Sequence, residues 1–130
     1  MATIADIVFD SARPSALARF WAAVLDDHEV APYDEHEIAR LRSLGIDDVE
    51  DDPTVLVEPE TGGGPRLWFQ LVPEPKRVKN RVHLDLRVDD LDSELERLLN
   101  LGAHVLDDRS ADGLVVLQDP EGNEFCLIPH

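Results

Sequence analysis

The chain has a single cysteine, Cys126, among its 130 residues. No internal disulfide can form, which excludes the disulfide-stapled scaffolds of small secreted domains and suits a reducing compartment. Basic residues are also scarce, with 12 Lys and Arg against 28 Asp and Glu for a net charge of −16. Such a surface repels phosphate backbones and anionic lipid headgroups, so neither nucleic acid nor a membrane surface is an expected partner. No apolar run is long enough to span a bilayer, and the first residues lack the basic and apolar regions of a secretory leader. The expectation is a cytoplasmic protein. Its length fits one domain with a real core and is too short for two independent ones.

What the chain does contain is a repeated order of patterns. Residues 3–10 alternate as a strand, with Ala5, Ile7 and Phe9 on one parity and Asp6, Val8 and Asp10 on the other. Pro14 then suits the first turn of a helix in which Leu17, Phe20, Trp21, Val24 and Leu25 recur at helical spacing, with Trp21 assigned to the core. Downstream, residues 82–88 again read as a strand. Asp90 follows as an N-cap, then a stripe of Leu91, Leu95, Leu98 and Leu99, with Gly102 as a stop. Each helix precedes a hairpin, built from residues 55–57 and 67–72 in the first half and residues 114–117 and 124–128 in the second. The turn Asp119-Pro120-Glu121-Gly122 carries the residue preferences of a type I turn at its first, second and fourth positions.

The halves can be set in register. Pro73 ends one final strand as Pro129 ends the other, which places Gln70 against Cys126 and Phe69 against Phe125, while the leading strands align Asp6 with His83. Between the first helix and first hairpin lies a segment without counterpart. Asp34 and Glu37 form a capping box for a short helix carrying Ile38, Leu41 and Leu44, stopped by Gly45 and followed by an acidic stretch over residues 47–52. It reads as a solvated surface insertion, with a lid over the site as the alternative.

The strand over residues 82–88 draws attention because one parity is wholly apolar (Val82, Leu84, Leu86, Val88) and the other wholly ionisable (His83, Asp85, Arg87). One face should meet a core and the other present a base, a carboxylate and a guanidinium. That strand, the helix end Leu101-Gly102-Ala103, the turn running from Asp119 to Phe125 and the segment from Phe20 to Leu25 together resemble the vicinal oxygen chelate superfamily. This is the glyoxalase, bleomycin-resistance and extradiol dioxygenase group, and the resemblance is to its glyoxalase-like domain subgroup. It implies an α+β fold of two tandem βαβββ modules, about residues 1–75 and 76–130, forming a curled mixed sheet around a cup, and a homodimer.

In metal-dependent members four side chains hold a divalent ion, one from the first and one from the last strand of each module. Carried over by the resemblance, these places fall on Asp6, Gln70, His83 and Cys126, of which His83 alone keeps the usual identity. Oxygen, imidazole and sulfur together suit Zn²⁺ better than the octahedral ions. Glu124 shares the parity of Cys126 and is the alternative carboxylate. With a metal, the cup would polarise a carbonyl or stabilise an enediolate while Asp85 or Glu124 moves a proton, as in a lyase or isomerase, with a dioxygenase-type enzyme as a further class the resemblance implies; without a metal, His83 is left as a base. Without one, Trp68 as a flat wall, Arg87 as an anion clamp and Gln70 as a polar contact still suffice to bind a small molecule. The alternative is a bleomycin-resistance-like protein sequestering a cationic aromatic compound in an acidic groove, and a third class is a vestigial cup with no ligand.

Overall fold

The computed structural model describes all 130 residues and divides into two compact units, residues 1–75 and 76–130. In the first, β1 (Asp6–Ser11) leads into α1 (Pro14–Val24), β2 (His28–Val30), α2 (Glu35–Ser43), a single 3-10 turn over Val49–Asp51, β3 (Thr54–Pro59) and β4 (Arg66–Leu71). The strands form one mixed sheet in the order β1-β4-β3-β2, with β1 parallel to β4 and the other pairs antiparallel. The second unit repeats this with β5 (Leu84–Val88), α3 (Leu91–Leu101), β6 (His104–Arg109), β7 (Leu114–Gln118) and β8 (Glu124–Pro129), in the order β5-β8-β7-β6. Each unit is a βαβββ module, and the fold class is α+β. None of the three helices is long and apolar enough to cross a membrane.

Strand parity decides which sheet face each helix covers. In the first unit Val55, Val57, Leu67 and Phe69 are at most 2 % exposed and pack with Leu17, Ala18 and Trp21 of α1. Phe9 joins them, its ring 5.0 Å from Phe69 and 5.5 Å from Trp21. Pro14 opens α1 where a missing N–H costs nothing. In the second unit Val115, Leu117, Phe125 and Leu127 are buried beside Leu98 of α3. Asp90 caps that helix by accepting the Ser93 N–H, and Gly102 closes it in the left-handed conformation at φ 114°. Leu99, expected in the buried stripe, is 42 % exposed, because the turn of the helix directs Leu98 at the sheet instead.

The strand boundaries differ from the sequence reading at the polar ends. β1 begins at Asp6, not at residue 3, and β5 begins at Leu84, leaving Val82 78 % exposed. Periodicity also missed β2 and β6. β2 has only three residues, and β6 is an edge strand exposed along its whole length, so neither buries a face that would impose alternation. His28 and His104 open these two strands. The Asp119 turn forms as read: Gly122 donates to the Asp119 carbonyl at 2.9 Å and adopts φ 86°, while the fully buried Asp119 carboxylate accepts from Glu121 and Asn123.

Candidate functional site

In each unit the sheet face turned away from the helix carries the polar parity. On the first sheet that face comprises Asp6, Val8 and Asp10 from β1, Arg66, Trp68 and Gln70 from β4, and Thr54, Leu56 and Glu58 from β3. A cavity of about 530 Å³ opens over its β3 and β4 portion, floored by Thr54, Leu56, Glu58 and Trp68. Its other wall is the insertion, which supplies Ala31, Pro32, Tyr33, Asp34, Glu37, Arg40 and Asp52. The segment therefore forms one wall of a cavity instead of standing free in solvent.

Local chemistry explains how the insertion holds its place. Asp34 caps α2 by accepting the Glu37 N–H at 2.9 Å, as the capping box predicts, although the Glu37 side chain turns to Arg40. Leu41 is the one buried residue of α2, and Leu44, expected beside it, is 60 % exposed. The principal tether is polar. Asp52 is only 3 % exposed, and its two oxygens accept the Thr54 N–H at 3.0 Å and the Tyr33 hydroxyl at 2.7 Å, with the Arg40 guanidinium 3.9 Å away. Burial, reinforced by the hydrogen bond to Asp52, pushes the Tyr33 phenol well above its ordinary pKa, so it remains a protonated donor.

The second unit assembles a different group. His83, just ahead of β5, Asp85 on β5 and Cys126 on β8 bring one ligand atom each within 4.8 Å of one another, with His83 Nε2 3.4 Å from Asp85 Oδ1. The register explains it: Asp85 stands directly opposite Cys126, and His83 shares their parity. Burial, and then the Asp85 carboxylate, raise the pKa of the Cys126 thiol, which makes it a poor free nucleophile. Arg87 lies on the same face, exposed. Glu124 is engaged elsewhere: its oxygens accept from Lys76 Nζ at 3.1 Å and the Asn80 N–H at 2.9 Å. Burial alone would raise its pKa, but those donors outweigh burial and hold it below the usual carboxylate value, so Asp85 is the carboxylate beside the imidazole.

The four family metal places are thus treated unequally. His83 and Cys126 come together. In the first unit Asp6 stands opposite Arg66, binding it through both oxygens at 2.7 and 3.1 Å, while Gln70 stands opposite Asp10 and donates to it at 2.8 Å. Asp6 and Gln70 are four register steps apart, about 13 Å at roughly 3.3 Å per residue. With Gln70 set against Cys126, the counterpart of Asp85 is Asp10, and that of His83 is Val8 and not Asp6. The donor set His83, Asp85 and Cys126, with one nitrogen, one oxygen and one sulfur, fits a borderline ion such as Zn²⁺ and suits octahedral oxygen-preferring ions poorly.

Tyr33, Asp52 and Glu58 were not singled out from the sequence. Glu58 was within reach, since its parity in β3 matches Thr54 and Leu56 against the buried Val55 and Val57. Tyr33, the sole tyrosine, precedes a capped helix in a segment without periodicity and offered no such signal.

Comparison with known proteins adds the family. The sequence profile of the glyoxalase-like domain matches residues 6–128. Among curated proteins no sequence matches the chain. Among solved structures, the chain is similar to the fosfomycin resistance protein FosX from Mesorhizobium loti, with 15% identity, 98% of this chain and 91% of that one covered, and a TM-score of 0.68. It is also similar to a glyoxalase/bleomycin resistance protein/dioxygenase family enzyme from Burkholderia phytofirmans PsJN (15% identity, 98% of each chain, TM-score 0.65). A third is the trypanothione-dependent glyoxalase I of Leishmania major (13% identity, 99% and 87% covered, TM-score 0.63). At these identities the likeness speaks for the fold alone.

Proposed function

Because the chain belongs to the glyoxalase-like domain family, we propose that it binds a small organic molecule in the cavity beneath α2, its two units acting as one domain. The observation that carries this reading is the cavity itself. At about 530 Å³, with Trp68 and Leu56 as apolar surfaces and Tyr33, Arg40 and carboxylates as polar ones, it has the size and mixed lining of small-molecule sites. The family match over nearly the whole chain supports treating both units as a single functional domain. The homodimer and the cytoplasmic location expected from the sequence belong to the same reading.

A second reading, catalysis, is favoured by the His83, Asp85 and Cys126 cluster. A divalent ion held by these three would supply Lewis-acid polarisation of a ligand carbonyl, as a lyase or isomerase reaction requires. With no ion bound, Asp85, whose Oδ1 lies 3.4 Å from His83 Nε2, orients the imidazole as a base toward a ligand. Arg87 on the same face offers a planar clamp for a carboxylate. Sequestration without chemistry needs only the cavity.

Protein purified without chelator or affinity metal, analysed by elemental analysis and native mass spectrometry, tests both readings and reports the number of subunits. The expected result is an organic ligand that co-purifies with the wild type and is lost in Trp68→Ala. Stoichiometric zinc lost in His83→Ala adds the catalytic reading, and its absence leaves binding alone. A ligand retained by Trp68→Ala at wild-type occupancy overturns the cavity reading.

A further inference from the structure

Resting on the cavity reading above, we infer that this cavity selects an organic cation, an ammonium or guanidinium group carried on a flat ring, with Glu58 as its counter-charge and Trp68 as its stacking surface. Four carboxylates and one guanidinium line the cavity. Three of the four are already committed. Asp34 caps α2, Glu37 pairs with Arg40 at 2.8 Å, and Asp52 accepts the Thr54 N–H and the Tyr33 hydroxyl. Glu58 is the exception. It has no ion pair or hydrogen bond of its own, and the nearest guanidinium that influences it, Arg66, is bound through two contacts to Asp6.

The second observation concerns the sheet. Glu58 stands directly opposite Glu29 in the antiparallel β2–β3 pair, so two carboxylates share one cross-strand site on one face. Like charges placed this way cost stability, and Arg66, which attracts Glu58 but is held by Asp6, does not fully offset them. A bound cation would. The third is geometric: Leu56 is opposite Trp68, so Glu58, two residues along β3 on the same face, is the diagonal neighbour of Trp68, with about 7 Å between the two positions by sheet geometry. A ring laid on Trp68 can therefore extend a positive group to Glu58, combining cation–π attraction with ion pairing in a partly enclosed space. A carboxylate or phosphate ligand would meet the same unmatched charge as repulsion. This assigns the cation to a cavity within one unit of a single chain, not to a groove between copies.

Three probes of one shape separate the terms: 2-naphthylmethylamine, protonated at neutral pH, the neutral 2-naphthylmethanol, and the anionic 2-naphthoate. Calorimetric titration should show the ammonium binding about tenfold or more tighter than the alcohol, and the naphthoate weakest. Glu58→Gln should remove most of the difference between ammonium and alcohol while leaving the alcohol unchanged. Glu58→Lys should turn the preference toward naphthoate, and Trp68→Ala should weaken all three. Alcohol or naphthoate binding as tightly as the ammonium, or an ammonium preference that survives Glu58→Gln, overturns the cation assignment and leaves the cavity standing. If Trp68→Ala binds every probe as the wild type does, the cavity reading fails with it.

Discussion

Asp52 shows how a single side chain can define a site without touching its ligand. Its buried carboxylate joins the start of β3 to Tyr33 and approaches Arg40, so two parts of the insertion and the strand beneath them depend on one anion. Removing it strands the Thr54 N–H and the Tyr33 hydroxyl, a loss on the order of 2–3 kcal/mol for charge-assisted bonds. The phenol reports on the same contact. A folded-state pKa raised above the unfolded value means that Tyr33 contributes stability fully present below about pH 10 and lost as pH rises toward the folded value. As Tyr33 is the sole tyrosine, phenolate absorbance reads it directly. The expected titration lies well above the ordinary tyrosine range in the wild type and returns toward it in Asp52→Ala; an ordinary titration in the folded wild type would contradict the hydrogen bond. At this scale the sequence spoke clearly only where a strand imposed alternation. His83 and Asp85 were legible because parity set them on one face, and Cys126 through the family resemblance, whereas Asp52 looked like one more acid in a solvated run.

Among the elements, α2 is the one whose stability and function are most closely tied. It is short, has a single buried residue in Leu41, and forms one wall of the cavity through Glu37 and Arg40. Helices of this length are marginal in water, so docking by Leu41 and the Asp52 tether decides whether the wall is present. Leu41→Ala should cost about 2–4 kcal/mol locally. Hydrogen exchange should then show residues 35–43 opening far more readily while the amides of β4 and β8 keep their protection, with probe affinity falling in proportion. Uniform loss of protection across the first sheet would instead make Leu41 an ordinary core residue. The capped helices and the Asp119 turn were readable because caps and turns are local chemistry. β2 and β6 were not, because an edge strand with both faces wet has no periodicity to read.

For the molecule as a whole, the two βαβββ units show what a repeat in the sequence can and cannot specify. Matching Pro73 with Pro129 located the modules, but strand parity is unchanged by a slip of two residues, so Asp6 was aligned with His83 although the strand register makes Val8 its counterpart. The net charge of −16 has no such ambiguity, because self-repulsion acts on the entire fold. Raising ionic strength from about 0.02 to 0.5 M shortens the screening length from roughly 20 Å to about 4 Å, which relieves repulsion among the acidic groups. The melting temperature should therefore rise with salt. Binding of 2-naphthylmethylamine should weaken over the same range, since its attraction to the acidic cavity is screened, whereas 2-naphthylmethanol should bind equally well throughout. Opposite signs for stability and cation affinity in one salt series separate a field acting on the fold from a charge placed for a ligand; ammonium affinity that stays level as the melting temperature climbs would leave acidity a property of the surface alone.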